Sequence, residues 1–312
     1  MSRPFFYCSD LSRAASEKSF GTATVGEVWV LVEYREAWGA KALKDSDLSV
    51  RVKAHLTRLV KTIPRAKLLF VKQERLLSQG ELACFVVRCR ESAPSIVKFN
   101  FSDYEQLTEI DVAAVAAGES LAGGALTNEP LYLVCTHGKR DKCCAKFGYA
   151  LYKSLRAGAG GERVWQSSHI GGDRFAANLV CFPHGLFYAH VTEEQGGVLV
   201  GDYERARVTL EGYRGRACYS YPVQAAEFFI RRESGVVGVD ALRYLEQERV
   251  DDRCWLVRFV EAGAGTVHEA HIAARMSEFH NLTTCHSTEE KRVVQYTLEN
   301  YRAGVADLPE RK

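Results

Sequence analysis

The sequence predicts a mixed α/β protein, of the α+β kind with a mixed sheet, on three observations. Between residues 27 and 191, short apolar runs rich in Val, Leu, Phe and Tyr recur with polar or glycine-containing breaks between them, as buried strands do. Longer stretches carry apolar residues at helical spacing, the pattern of helices that cover a sheet. Two polar knots directly follow strand-like runs: Cys135-Thr136-His137-Gly138-Lys139-Arg140-Asp141-Lys142-Cys143-Cys144, and Ser168-His169-Ile170-Gly171-Gly172-Asp173-Arg174-Phe175-Ala176-Ala177-Asn178. The chain divides into an N-terminal α/β lobe over 1–124, a second lobe carrying both knots over 125–215, and a C-terminal α+β cap over 216–312.

Composition sets the bounds. A length of 312 residues allows a sizeable core shared between lobes. A hydrophobic share of 46% and a charged share of 26% are ordinary for a globular chain, and no apolar run approaches the ~20 residues a membrane helix needs. The formal charge is +2, and Lys and Arg are scattered without interleaved exposed aromatics, so there is no nucleic-acid footprint. The start, Met1-Ser2-Arg3-Pro4-Phe5-Phe6-Tyr7-Cys8, turns polar too soon for a secretory signal, and the expected compartment is the cytoplasm. The ten cysteines, at 8, 84, 89, 135, 143, 144, 181, 218, 254 and 285, do not have the spacing of a disulfide framework. Cys84, Cys181 and Cys254 lie in apolar runs, where a thiol behaves as a small hydrophobe; the dense first knot instead reads as metal-binding or redox.

In the first lobe, residues 1–24 are mixed in character and 27–33 form the first strand candidate. A helix is predicted over 47–61, with Asp45, Ser46 or Asp47 as its cap, Leu48, Val52, Leu56, Leu59 and Val60 as its apolar stripe, and Pro64 as its stop. Strands follow at 67–71 and 82–87 around a turn at Ser78-Gln79-Gly80, then a strand at 96–100 and an alanine-rich helix over 103–117. Ser120-Leu121-Ala122-Gly123-Gly124 is the best boundary.

The second lobe has strands at 131–134 and 163–167, joined by a helix that Asp141 can cap and that runs to about Arg156. Strands at 179–182 and 186–191 flank the turn Pro183-His184-Gly185, and 200–212 is helix-like. Strand, ligand-rich loop, helix, strand, ligand-rich loop and two hairpin strands is the order of a thioredoxin-like sheet, with both knots at the ends of neighbouring strands. The first lobe shares the coarse order. Residues 29–33 stand where 132–135 stand, and Gly39 where the first knot begins. A tandem pair of thioredoxin-like lobes, only the second keeping ligands, is one arrangement this pattern allows. Beyond them, Tyr213-Arg214-Gly215 marks a turn, helices are predicted over 223–232 and 239–248, 255–260 and 266–272 pair as a hairpin, and the charged tail over 287–303 reads as helical. Nothing in this cap marks a second chemical site.

The pair of knots resembles the sucrase/ferredoxin-like family, whose fold is that of the thioredoxin-like ferredoxins. In such ferredoxins a [2Fe-2S] cluster sits between a widely spaced Cys pair and a second pair three residues apart. The best-described members of the family have His-x3-His in place of that second pair. The resemblance implies Cys135 and Cys144, with eight residues between them, as the wide pair, and His169 and Asp173 as the close pair. Asp173 stands where the family pattern has its second His. A weaker likeness extends to 8–43 and 227–242.

The residue types suit that chemistry. A [2Fe-2S] cluster takes four protein ligands in two pairs. Cys135 and Cys144 offer thiolates from either end of one loop, with a helix N-terminus near Asp141 and the charge of Arg140 to steady them, and Gly138 lets the backbone turn closely. Cys143 or Cys144 can reach; the family spacing favours Cys144. His169 lies on a loop at a sheet edge, not on an apolar face. Asp173 can ligate through oxygen or cap the stretch 174–178, and if it caps, His137 is the nearest substitute ligand. Imidazole in place of thiolate raises the potential of such a cluster, and its N–H can couple a proton to the electron; an anionic Asp ligand partly reverses the rise.

The expected function is therefore single-electron transfer, by a carrier rather than an enzyme. A redox protein such as a nicotinamide-dependent reductase is the expected partner, because the chain has no dinucleotide-binding G-x-G-x-x-G of its own. The competing reading is a structural zinc site on Cys135, Cys144, His169 and either His137 or Asp173, making the chain a scaffold without redox activity. Thioredoxin-type dithiol chemistry is disfavoured because no Cys-x-x-Cys ends a strand, and no carboxylate pair is singled out for sugar hydrolysis.

Overall fold

The computed structural model describes residues 6–74 and 80–305; Ser78 and Gln79 of the first predicted turn lie outside the described residues. In chain order the first half comprises α1 (Cys8–Ala14), β1 (Val28–Glu33), α2 (Val50–Thr62), β2 (Ala66–Lys72), β3 (Leu82–Arg88), β4 (Ser95–Phe101), α3 (Val112–Ala117) and β5 (Ala125–Thr127). The second comprises β6 (Leu131–Cys135), α4 (Tyr149–Ala157), β7 (Val164–Ser167), β8 (Leu179–Phe182), β9 (Leu186–Tyr188), α5 (Glu193–Glu204) and β10 (Tyr213–Arg216). Last come α6 (Tyr221–Ser234), β11 (Leu242–Arg249), β12 (Cys254–Glu261), β13 (Thr266–Met276) and β14 (Val294–Val305).

Ten strands form one mixed sheet in the order β10-β9-β8-β6-β7-β2-β1-β3-β4-β5. Read outward from the contact of β7 with β2, both halves have the same order, and in each only the two strands joined by a helix are parallel. The inner four strands of each five-stranded half, β7-β6-β8-β9 and β2-β1-β3-β4, thus form two thioredoxin-like quartets in tandem, with β10 and β5 at the outer edges. They meet where β2 and β7 pair antiparallel, Val71 opposite Ser167 and Lys72 opposite Gln166. Ser168 extends the seam: its N–H donates to the Phe70 carbonyl at 2.7 Å and its hydroxyl accepts from the Phe70 N–H at 2.9 Å. Because the parallel strands of both halves end here, the loops that follow them converge on one place.

Side-chain alternation sorts the core. Along β1, Val28, Val30 and Val32 pack with α2 and α3, whereas Trp29 and Leu31 face inward. Along β6, Tyr132 and Val134 pack with α4 and α5, whereas Leu131, Leu133 and Cys135 face inward. The two inward sets form one cluster, with the Trp29 ring 5.5 Å from Phe182 and Phe85 5.4 Å from Trp165. Both faces of β1 and β6 are buried, which is why each reads as an unbroken apolar run.

Local capping explains several shifted boundaries. Ser49 accepts from the Val52 N–H at 3.2 Å and starts α2 beyond the predicted caps. The predicted helix over 103–117 splits because Asp103 caps a 3-10 turn (Tyr104–Glu109) and Asp111 separately caps α3. A reciprocal box between Thr192 and Gln195 starts α5 earlier than the helix-like stretch at 200. Residues 213–215, read as a turn, belong to β10.

The largest corrections concern the cap. The segments predicted as helices over 239–248 and 287–303 are strands β11 and β14, the edges of a four-stranded antiparallel sheet β11-β12-β13-β14. Their charges are cross-strand partners: Arg258 on β12 bonds Glu246 on β11 and Glu269 on β13, and Arg275 on β13 meets Glu299 on β14 at 2.8 Å. One face of this sheet packs on α6 through Val257, Phe259, Ala270 and Ile272. The N-terminal segment also departs from a simple lobe: Ser9 of α1 donates to the Ala176 carbonyl at 2.5 Å, so α1 packs on the second half. No helix among the described residues is long and apolar enough to cross a membrane.

Candidate metal centre

Cys135 is the last residue of β6 and points into the space between the halves. The knot loops out and returns as a helical segment whose first part is a π-turn, Cys144–Gly148, leading into α4. Gly148 makes the return possible, since a Cβ there would lie 1.9 Å from the Cys135 carbonyl oxygen. The helix backbone therefore rests against the strand end, and Cys144 comes back to Cys135. Successive residues on a helix point about 100° apart, so Cys143 and Cys144 cannot serve one centre. Cys144 faces Cys135, while Cys143 faces away, its Sγ 3.5 Å from that of Cys8 and 3.2 Å from that of Cys285.

The second knot closes the site. His169 follows β7, and the donor atoms of Cys135, Cys144 and His169 all lie within 4.8 Å of one another. Asp173 Oδ1 is 3.8 Å from Cys144 Sγ and 3.1 Å from His169 Nδ1. That Nδ1 is buried and makes no aligned hydrogen bond. Asp173 is the first residue of a short 3-10 turn, Asp173–Phe175, whose capping position is held by Gly172, so Asp173 does not stand at an N-cap and the predicted helix over 174–178 is absent. The loop's shape depends on left-handed backbone at Gly171 and Gly172. A Cβ on Gly172 would strike the Arg214 guanidinium at 2.6 Å. Arg214 is buried and donates to the Gly171 carbonyl at 3.1 Å and to Asn178 Oδ1 at 2.7 Å; Asn178 in turn donates to the Gly172 carbonyl at 2.8 Å. Sequence reasoning missed Arg214 because nothing local distinguishes it from a turn residue.

His137, the substitute ligand in the sequence reading, is engaged elsewhere. Its Nε2 donates to the Gly39 carbonyl at 2.8 Å, its Nδ1 accepts from the His169 N–H at 3.1 Å, and its ring meets Trp38 edge-on at 5.7 Å. It thereby ties the His169 backbone to Gly39 of the first half. Gly138 is needed for packing, a Cβ there falling 2.8 Å from that of Ala145.

The donors share charge. The bond from Cys144 holds the Cys135 thiol well below its usual range, against burial and with help from His169, while Cys135 and burial push Cys144 well above it. Burial pulls the His169 imidazole down, but the bond and charge of Cys135 and the charge of Asp173 outweigh it, and the net direction is up. Burial raises the Asp173 carboxyl, with His169 and Arg140 opposing. Two thiols, an imidazole and a carboxylate thus form a largely buried N/S/O donor set whose members shift one another's protonation.

Over residues 19–215, more than half of the chain, the sequence matches the sucrase/ferredoxin-like family. The chain belongs to that family. Comparison with curated proteins and with solved structures gave no match. The sucrase/ferredoxin-like segment starts after α1, spans both quartets and ends within β10, so it contains Cys135, Cys144, His169 and Asp173. Cys8 and Cys285 lie outside it. The cap, read from sequence as free of chemistry, nevertheless sends Cys285 to the group around Cys143.

Proposed function

We propose that this chain is a [2Fe-2S] protein that transfers single electrons, with Cys135, Cys144, His169 and Asp173 as the ligands of the cluster. The observation that carries this reading is the convergence of both knots on one seam, which brings a ring nitrogen of His169 within 4.8 Å of the Cys135 and Cys144 sulfurs and sets the Asp173 carboxylate beside both Cys144 and His169. The donor set fits iron–sulfur ligation, in which thiolates can be replaced by imidazole. When bound, such a cluster takes up and releases one electron. The chain's own residues hold the donors in place: Gly148 admits the helix to the strand end, His137 orients the His169 backbone, and Arg214 with Asn178 shapes the second loop. His169 has the most exposed side chain of the four, 22% against 9% for Asp173, so a redox partner such as a nicotinamide-dependent reductase would dock over it.

A single zinc ion is the second reading, favoured by one observation. Around one tetrahedral zinc, with bonds of ~2.0–2.3 Å, donors stand roughly 3.3–3.8 Å apart, and three of these donor atoms already lie within 4.8 Å of one another. Protein purified without air decides between them. The expected result is a red-brown protein with iron and acid-labile sulfide in equal amounts, whose colour bleaches on one-electron reduction. A colourless protein holding zinc at these residues would overturn the electron-transfer reading.

A further inference from the structure

The group around Cys143 is a site in its own right. Cys8 opens α1, Cys143 precedes the π-turn, and Cys285 lies in the loop between β13 and β14. Their Sγ atoms form a near-equilateral triangle, 3.5 Å from Cys8 to Cys143, 3.2 Å from Cys143 to Cys285 and 3.6 Å from Cys285 to Cys8. Both Asp141 carboxylate oxygens lie 3.9 Å from Cys8 Sγ, and the donor atoms of all four residues fall within 4.8 Å of one another. Cys8, Asp141 and Cys143 are 0% exposed and Cys285 is 8% exposed.

Two features set this group apart from thiols that merely fill a core. The first is Asp141. Its carboxylate is fully buried and accepts from the Cys143 N–H at 2.9 Å and the Cys285 N–H at 2.7 Å, and no Lys, Arg or His among the described residues forms an ion pair with it. Surrounding a buried carboxylate with three thiols in place of a cation is costly unless a cation binds there. The second is the symmetry. A disulfide would single out one pair, whereas here three sulfurs are almost equally spaced, as tetrahedral coordination requires: bonds of ~2.3 Å put sulfurs roughly 3.8 Å apart. The Ser9 N–H already donates to Cys143 Sγ at 3.4 Å, the kind of bond that steadies a metal-bound thiolate.

We infer that Cys8, Cys143, Cys285 and Asp141 bind one zinc ion as a closed structural site, separate from the centre on the second knot. The ion clamps the N-terminal helix and the cap loop onto the knot, joining two segments outside the family match to one inside it. The adjacent cysteines 143 and 144 are thus shared out between two centres, back to back on one helical turn.

The test counts zinc, iron and sulfide in the full chain purified without air from zinc-supplemented cells. Wild-type protein is expected to hold one zinc that Cys8→Ser and Cys285→Ser each lose, with affinity falling at least about tenfold, while their iron and sulfide stay as in wild type. Cys144→Ser is expected to do the reverse, losing iron and keeping that zinc, and Cys254→Ser to change neither. If the first centre instead holds zinc, the two classes of variant still remove different ions, so failure of one reading is distinguishable from failure of the other. Should Cys8→Ser or Cys285→Ser fail to fold, cobalt added to metal-depleted chain carrying Cys135→Ser and Cys144→Ser, in which the other centre has lost both thiolates, reads the same site through the thiolate charge-transfer and intense visible bands of tetrahedral cobalt and their loss on zinc addition. Zinc unchanged in Cys8→Ser and Cys285→Ser, no cobalt spectrum, or a Cys143–Cys285 disulfide in the isolated protein would each overturn the inference.

Discussion

The two quartets of the sheet share one topology and end their parallel strands at the same seam, yet among the described residues only one of them gathers side chains that could hold a metal. Glu33 closes β1 as Cys135 closes β6. The Glu33 carboxylate is satisfied within the protein, accepting from Arg35 Nε and from the Ala83 N–H, both at 2.9 Å. The loop after β1 is filled by Tyr34, stacked on Phe70 at 4.8 Å, and by the buried Trp38. The loop after β6 instead leaves sulfur, nitrogen and oxygen facing one another. The first half serves the second through the Gly39 carbonyl, which holds His137, which holds His169. A repeated fold thus supplies a place for chemistry, and whether the place is used depends on whether its polar atoms are satisfied by the protein itself.

The sharpest way to break this comparison is to exchange the strand-end residues. Cys135→Ser and Cys144→Ser are each expected to abolish the iron–sulfide absorption, whereas Glu33→Gln should leave it intact and cost about 1–3 kcal/mol of stability through its disturbed buried bonds. Visible spectra and denaturant melts separate the two; colour surviving in Cys135→Ser would end the asymmetry. Asp173→Asn comes next. Because Asp173 stands inside its turn and not at the capping position, the change should leave folding almost unchanged but make the cluster labile, since the amide is a poor iron ligand. Full iron occupancy with an unshifted midpoint potential would remove Asp173 from the ligand set.

Gly148→Ala probes the close approach that only the second half makes. A methyl group driven into the Cys135 carbonyl should cost about 2–4 kcal/mol, with weaker iron retention, while Gly197→Ala on α5, where a Cβ meets nothing, should stabilise by about 0.5–1 kcal/mol. Equal melting behaviour of the two variants would contradict the geometry.

Acid should also separate the halves. His184, in the β8–β9 turn, and His190, after β9, are both held down to about 4 by burial, with Arg216 and Arg13 adding to the effect. Each is neutral in the folded chain and takes up a proton near 6.5 when unfolded, so its contribution is fully present above pH 6.5 and is lost as pH falls toward 4. The shift corresponds to at most about 3 kcal/mol per histidine. Hydrogen exchange converted to opening free energies should show β8 and β9 loosening between pH 6.5 and 4, while β3 and β4 hold. A modest effect is expected of His137→Ala, which loses one bond to Gly39 across the seam and one from the His169 N–H, at about 1–2 kcal/mol, but keeps the iron; loss of iron would make His137 more than a support.

The sequence by itself determined the strands of both quartets and the two knots between them. Strands buried on both faces, such as β6 and β8, read as continuous apolar runs, and the ligand spacing within each knot is local, so neither needs distant residues to be legible. The shared order of the two lobes was readable for the same reason. The direction of each cysteine was a matter for tertiary structure. Cys143 and Cys144 are equivalent in sequence until the helix register and the close approach at Gly148 turn one to Cys135 and the other away. The three sulfurs of the second group are separated by 135, 142 and 277 residues along the chain, beyond any local pattern. The charged segments over 242–249 and 294–305 became strands rather than helices because Arg258 and Arg275 found carboxylates on neighbouring strands, and α6 covered the apolar face that resulted. Arg214 looked like part of a turn and became the buried brace of the second knot, because its partners Gly171 and Asn178 lie 43 and 36 residues earlier and only folding brings them within reach.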